Sequence, residues 1–158
     1  MRTLARFIGT GAYTGYAPVA SGTFGTLPGV LLAIPLARLA HVSAIGYVAT
    51  LAAAIAIAIW SAERCSHIFR SGDPSQVVAD EIVGFFVTVA FVQPLDAKTL
   101  ILAFFLFRFF DVAKTWPADA AEALPGGYGI VIDDLVAGVY ANLSLRLLLV
   151  ILARLGFS

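Results

Sequence analysis

The sequence predicts an all-α fold, a compact helical membrane protein with about four to five apolar helices and one polar face. Apolar residues make up 60% of the 158 residues and charged residues only 13%, whereas soluble domains average about 45–50% and about 25%. The mean hydropathy is +0.92. Two runs, 44–62 and 135–153, are close to the ~20 apolar residues that cross a bilayer. Because the chain is short, we expect a single domain over 1–158.

Five apolar runs define the expected helices in order along the chain. They are 23–40, 44–62, 82–92, 99–107 and 135–153. Pro28 and Pro35 are expected to interrupt the first run, and the last run contains one charge, Arg146. The shorter runs do not reach the length of a full crossing, so we expect some of them to be tilted or half-inserted.

Short links join these runs into two helical hairpins and a last helix. Residues 41–43 connect the first two runs, and 93–98 form a turn between the next two. The polar stretches 9–26, 63–81 and 108–134 then share one side of the membrane. The cations on that side are Arg2, Arg6, Arg64, Arg70, Arg108 and Lys114, against Arg38, Lys98 and Arg154 on the other. This excess predicts that the polar face lies in the cytoplasm.

Several other classes of protein fit the sequence less well. A soluble all-helical domain with membrane-like buried helices is the alternative, and composition and span length favour the membrane. Ten basic residues balance ten acidic ones, so we expect no nucleic-acid partner. Cys65 is the only cysteine and cannot form an internal disulfide. The first apolar run breaks at Gly9, too early for a signal peptide, so we expect the N-terminus to belong to the mature protein.

The acidic residues are few and occur in pairs at the starts of apolar runs. Asp80 and Glu81 precede one run, and Asp133 and Asp134 precede another. If packing brings the two pairs together, they form an oxygen-rich site of the kind that binds Mg²⁺ with water and a phosphate. The alternative is that acids at helix starts are stabilised by the helix dipole. Because both pairs fall on one side, we favour the metal site.

Basic and small residues near these acids predict contacts with a phosphate. Arg108, Asp111 and Lys114 are spaced by three residues and share a helix face, so the two cations could bind phosphate oxygens or pair with Asp111. Residues 18–26, which include Thr23, precede a helix whose first amides could bind an anion. Taken alone, this stretch is better explained as a flexible entry to the membrane. Arg146 is expected to pair with a carboxylate or to extend its charge to the membrane surface.

These residues together resemble the phosphatidylglycerophosphatase A family of small bacterial membrane phosphatases. The resemblance covers about 9–142 and depends on several ordered blocks. The blocks are GTG at 9–11, PVASGTFGT at 18–26, DEIVG at 80–84, FRFFDVAKTWP at 107–117, Glu122, and GIVIDDLVAG at 129–138. Ser21 and Thr115 stand where the family often has proline. These departures affect the loops and leave every charged group in place.

The resemblance implies Mg²⁺-dependent hydrolysis of the terminal phosphomonoester of phosphatidylglycerophosphate, an anionic phospholipid, to phosphatidylglycerol and phosphate. It implies a multi-pass protein of the bacterial inner membrane whose active site faces the cytoplasm, and no obligate protein partner is inferred. By matching positions, the expected metal ligands are Asp80, Glu81, Asp133 and Asp134. The expected catalytic acids are Asp80, Glu81, Asp111 and Asp134. The expected phosphate-binding residues are Thr23, Arg108 and Lys114.

The expected mechanism is in-line attack by a water that one carboxylate orients. The base, the number of metal ions and a covalent aspartyl phosphate stay open. A small membrane transporter or ion-conducting subunit is the alternative from another class. It predicts ionisable groups near the middle of the membrane, whereas these acids lie at helix ends. A non-catalytic scaffold would leave the clustering of acids and cations unexplained.

Overall fold

The computed structural model describes residues 1–156, and this part of the chain folds into helices without β-strands. A short 3₁₀ turn, Thr14–Tyr16, follows the first helix. The helices are α1 (Arg2–Gly9), α2 (Ser21–Val42), α3 (Ala44–Phe69), α4 (Ala79–Thr88), α5 (Ala97–Ala113), α6 (Ala118–Ala121) and α7 (Gly127–Arg154). The predicted all-α fold class is confirmed.

The helices correspond to the predicted apolar runs but extend beyond them into polar sequence. α3 continues past the apolar run to Phe69, and α7 begins at Gly127. The predicted interruption of the first run is wrong, because Pro28 and Pro35 lie inside α2. Proline is tolerated inside such helices where neighbouring groups satisfy the freed backbone atoms. α4 ends at Thr88, four residues before its predicted run does.

Side-chain caps fix the turns of the two helical hairpins. Ser43 caps α3, its Oγ accepting a hydrogen bond from the Gly46 N–H at 3.0 Å. Asp96 caps α5 in the same way, its Oδ1 accepting from the Thr99 N–H at 2.7 Å. Serine and aspartate are preferred at this position because their oxygens satisfy amides that the helix leaves free. The chain therefore reverses direction sharply after α2 and before α5.

The two hairpins and α7 bring several helix ends together at one end of the molecule, which we call the polar end. Oε2 of Glu63, near the end of α3, accepts a hydrogen bond from the Gly127 N–H at the start of α7, at 2.7 Å. Gly22, at the start of α2, packs against the side chains of Glu81 in α4 and Arg108 in α5. The predicted polar stretches therefore meet at one end of the molecule.

The short helix α4 lies at the centre of the fold. It packs against α2, α3, α5 and α7, and its side chains Phe85 and Phe86 are buried. Phe85 contacts Phe107 of α5 edge to face, with ring centroids 6.2 Å apart. The first turn of α4 is therefore held inside the polar end rather than at its surface.

Three helices, α2, α3 and α7, are long and apolar enough to cross a membrane, with 22, 26 and 28 residues. The other two helices of the hairpins are shorter. α4 has 10 residues, which at 1.5 Å per residue gives about 15 Å, about half of the ~30 Å hydrocarbon core. α4 is therefore too short to cross the bilayer by itself.

Arg146 of α7 binds backbone and amide groups near the end of α4. Its Nη2 donates to the Ala90 carbonyl at 2.8 Å, and its Nε donates to Oδ1 of Asn142 at 2.9 Å. Within the described residues it makes no ion pair, so the expected carboxylate partner is wrong. The free carbonyls at a helix end offer a cation an alternative partner that the sequence does not reveal.

Candidate active site

Three carboxylates meet at the polar end. Asp80 and Glu81 come from the first turn of α4, and Asp134 comes from the second turn of α7. One oxygen of each lies within 4.8 Å of the other two. Asp80 and Asp134 are only 8% and 4% exposed. We call these residues the three-carboxylate group, and it contains members of both predicted acidic pairs.

Glycines allow the helices that carry these acids to approach closely. A Cβ atom at Gly84 of α4 would lie 2.8 Å from the Asp134 carbonyl oxygen, and one at Gly138 of α7 would overlap the Gly84 carbonyl. Such distances leave no room for a side chain at either position. The absence of side chains therefore sets the separation of α4 and α7, and with it the separation of their acids.

The three-carboxylate group is not internally satisfied. Oε2 of Glu81 and Oδ2 of Asp134 are buried and lack a hydrogen-bond partner within the described residues. Burial, and then the charge of Glu81, raise the pKa of Asp80, which lies outside the three long helices. Buried like charges are costly unless a counter-ion is present. Mg²⁺ prefers such oxygen ligands, so these three residues fit this ion and would hold it.

One cation and a fourth acid border the group. Arg108, in the last turns of α5, forms an ion pair with Asp111, and its Nη1 lies 3.8 Å from Oε1 of Glu81. The charge of Asp111 also acts on Glu81 and on Asp134. The side chains of Arg108 and Asp111 are 19% and 14% exposed. Arg108 therefore presents a positive charge beside the carboxylates, where a phosphate could reach it.

The start of α2 borders the three-carboxylate group on the side where Arg108 lies. The N–H groups of Ser21 and Gly22 donate no hydrogen bond within the described residues, and the N-cap residue Ala20 has no side-chain oxygen to satisfy them. A Cβ atom at Gly22 would lie 2.9 Å from Nη1 of Arg108. Thr23 lies in the same turn and is half-buried. Free amides at a helix start beside an arginine suit an anion such as phosphate.

The structure does not bring Asp133 or Lys114 into the three-carboxylate group. Asp133 accepts from Lys114, with Oδ2 and Nζ 3.4 Å apart, and Lys114 also pairs with Glu122. Burial alone would lower the pKa of Lys114, but the hydrogen bond to Glu122 and the charge of Asp133 raise it overall. Adjacent residues of a helix point in different directions. The expected metal ligand Asp133 and phosphate ligand Lys114 therefore partner each other here.

Asp133 also borders a cavity of about 300 Å³ that sequence reasoning did not predict. Asp73, Glu122 and Asp133 line it, together with glycines that include Gly126. Asp73 lies in a polar loop with no spacing or motif to distinguish it, so its position beside Asp133 could not be read from the sequence. Glu122 was visible only as part of the family resemblance.

Comparison with known proteins gives one family and three curated relatives. The family model described as phosphatidylglycerophosphatase A matches residues 7–149. A Bacteroides thetaiotaomicron protein provisionally named phosphatidylinositol-3-phosphatase is 36% identical over 140 residues, covering 85% of this chain and 86% of that protein. The Haemophilus influenzae protein named phosphatidylglycerophosphatase A is 33% identical over 123 residues, covering 77% and 74%. The Escherichia coli protein of the same name is 29% identical over 138 residues, covering 84% and 76%. No solved structure matches significantly.

Proposed function

The chain belongs to the phosphatidylglycerophosphatase A family of phosphoric monoester hydrolases, and from this premise we propose that it hydrolyses phosphatidylglycerophosphate with Mg²⁺. The products are phosphatidylglycerol and phosphate. The observation that carries the metal part of the proposal is the three-carboxylate group with its two unsatisfied buried oxygens. A group of this composition is stable when a divalent cation offsets its charge.

In the proposed mechanism, Asp80, Glu81 and Asp134 hold Mg²⁺. When bound, the ion would supply positive charge that stabilises the negative charge of the phosphoryl group. Arg108 binds the remaining phosphate oxygens, and the free amides at the start of α2 donate to them. These donors favour the transition state because they lie in a water-poor environment and are already held in place.

The carboxylates also handle the protons of the reaction. A carboxylate of the site orients a water and accepts its proton as the water oxygen attacks phosphorus. The bond from phosphorus to the glycerol oxygen breaks, and that oxygen takes up the proton that the carboxylate accepted from the water and leaves as a hydroxyl. We assign the first task to Asp111, because it forms an ion pair with Arg108, the residue that lies beside Glu81.

Lys114 has a different role in this proposal from the one its sequence position suggested. It is engaged by Glu122 and Asp133, so it would reach a phosphate only by leaving one of them. We assign it to holding Asp133, the residue next to the metal ligand Asp134. Thr23 remains a phosphate ligand in the proposal because it follows Gly22 in the first turn of α2.

The proposed location is the bacterial inner membrane, with the polar end in the cytoplasm. The excess of cations at that end supports this orientation. Cysteines introduced as Gly72→Cys and Asp119→Cys, in a Cys65→Ser background, should both react with a membrane-impermeant thiol reagent only from the cytoplasm. Val42→Cys, which is at the far end of α2 and 85% exposed, is the control for the opposite side. Labelling of Gly72→Cys and Asp119→Cys from different sides would contradict a single polar face.

The experiment that tests the activity is phosphate release by purified protein in detergent. The substrates are phosphatidylglycerophosphate and phosphatidylinositol 3-phosphate, because relatives carry names for both activities. We expect release from phosphatidylglycerophosphate that stops in excess chelator and returns with Mg²⁺. Ca²⁺ should restore it poorly, because Ca²⁺ takes more ligands at longer distances. Full activity in excess chelator would refute the proposed dependence on a metal ion. Faster release from phosphatidylinositol 3-phosphate would refute phosphatidylglycerophosphate as the preferred substrate.

A further inference from the structure

The end of α4 lies at the depth of the hydrocarbon core, where backbone groups without hydrogen-bond partners are costly. α2 and α4 both begin at the polar end, but α2 has 22 residues and α4 has 10. At 1.5 Å per residue their lengths are about 33 Å and about 15 Å. α4 therefore ends about halfway along α2. Carbonyls that are free at this depth need partners within the protein.

Asn142 and Arg146 of α7 supply those partners. Nδ2 of Asn142 lies 3.2, 2.8 and 3.1 Å from the carbonyl oxygens of Val87, Thr88 and Ala90. The amide has two hydrogens, so at least one is shared between carbonyls. Arg146 donates to Ala90 at 2.8 Å and also to Oδ1 of Asn142 at 2.9 Å, which fixes the orientation of the amide.

The same helix that makes this cap also carries Asp134. From Asp134 to Asn142 is eight residues along α7, or about 12 Å, and from Glu81 to Thr88 is seven residues along α4, or about 10.5 Å. The two helices run in the same direction and touch at Gly84 and Gly138. The glycine contact lets them approach closely, and side chains such as Val87 pack beside it. The hydrogen bonds of Asn142 add a directional contact between the two helices at the end of α4.

We propose that Asn142, held by Arg146, is a positioning residue for the metal site. Its hydrogen bonds fix the axial register of α4 against α7, and so fix Asp80 and Glu81 relative to Asp134. A slip of one residue would move these acids by about 1.5 Å, which is large for an ion that demands near-ideal geometry at ~2.0–2.1 Å. This inference extends the proposed function, since it depends on a metal at the three-carboxylate group.

The test is Mn²⁺ binding, measured by electron paramagnetic resonance on purified protein without substrate. The variants are Asn142→Ala and Arg146→Ala, and the control is Leu143→Ala, a neighbour that is 59% exposed. Groups that hydrogen-bond directly to metal ligands change metal affinity by about 10–100-fold, and Asn142 acts from about 12 Å away through the helix register. We therefore expect a loss of about tenfold for Asn142→Ala, a smaller loss for Arg146→Ala and none for the control. The Mg²⁺ concentration for half-maximal activity should rise in the same order, with kcat partly recovered at high Mg²⁺.

Folded Asn142→Ala protein with the Mn²⁺ affinity of the wild type would overturn the proposal. If Asn142→Ala does not fold, Arg146→Ala carries the test, because it loosens the cap and leaves the Asn142 amide in place. An unchanged affinity there would also overturn the proposal. An error in the proposed substrate can be distinguished from an error in the positioning role, because Mn²⁺ binding is measured without lipid. Weakened Mn²⁺ binding in the variant of a protein that does not hydrolyse phosphatidylglycerophosphate would support the positioning role and refute only the substrate.

Discussion

The two acidic pairs of the chain have the same pattern in sequence but different surroundings in the structure. Asp80 and Glu81 both enter the three-carboxylate group, whereas the second pair is divided. Asp134 joins the group with one oxygen unsatisfied, and Asp133 pairs with Lys114. The two members of the second pair differ in their access to a cation of the protein. Lys114 neutralises Asp133, whereas Asp134 makes no ion pair within the described residues and remains available for a metal ion.

The largest effect on kcat is expected when a carboxylate is removed from the three-carboxylate group. Asp80→Asn, Glu81→Gln and Asp134→Asn keep the side-chain shape and remove the charge. We expect kcat to fall about 10²-fold or more in each, which corresponds to about 2.7 kcal/mol of transition-state stabilisation. The measurement is kcat beside thermal stability for each variant. Near-normal kcat with lowered stability would show that these acids are structural helix-start residues, worth about 0.3–1 kcal/mol.

A smaller effect should come from pH. Burial and the charge of Glu81 raise the pKa of Asp80, so its carboxyl group keeps a proton at a higher pH than usual. Mg²⁺ needs the ionised form, so the affinity for Mg²⁺ should fall as the pH is lowered toward that pKa. The fall approaches tenfold per pH unit for each proton displaced. The concentration of Mg²⁺ that half-saturates activity, measured as the pH is lowered from 8 while the protein stays folded, checks this, and a flat profile would contradict it. Asp133→Asn should leave the slope unchanged.

The smallest effect on catalysis is expected at Lys114, the cation that pairs with Asp133. Lys114→Met removes the ion pairs to Glu122 and Asp133, whose side chains are 45% and 10% exposed. The exposed pair with Glu122 contributes about 0–1 kcal/mol, and the buried Asp133 carboxylate left without its partner costs about 1–3 kcal/mol. Stability should fall by roughly that sum, and kcat by only a few-fold. Steady-state kinetics and thermal unfolding check this. A loss of 10²-fold would instead place Lys114 on the phosphate, as its spacing from Arg108 suggests.

Much of the fold could be predicted because apolar runs and their links determine it directly. The apolar runs predicted the hairpins and the shared polar end. They did not predict where the helices end, because polar residues such as Glu63 continue a helix as readily as apolar ones. The full length of α4 was also misjudged. The carbonyl of Thr88, at its end, accepts a hydrogen bond from Asn142, which lies 54 residues further along the chain. Contacts over that separation have no local signal.

The candidate site was predictable in composition and less so in detail. Pairing of acids at two helix starts and the spacing of Arg108 and Asp111 identified residues that the structure brings together. The division of Asp133 from Asp134 was not predictable. It depends on the position of Lys114, which lies in a turn between two helices. Which of two adjacent acids meets a cation is decided by that turn and not by their own sequence.

The most direct test of the difference between the two pairs is Mn²⁺ binding by matched variants of adjacent residues. Asp134→Asn and Asp133→Asn make the same chemical change one position apart in α7. We expect Asp134→Asn to weaken Mn²⁺ binding by more than about 100-fold, since it removes a proposed ligand. Asp133→Asn should stay within about threefold of the wild type, since Asp133 pairs with Lys114 and lies outside the three-carboxylate group. Equal weakening by both variants, or unchanged binding in Asp134→Asn, would contradict the assignment of the metal to Asp80, Glu81 and Asp134.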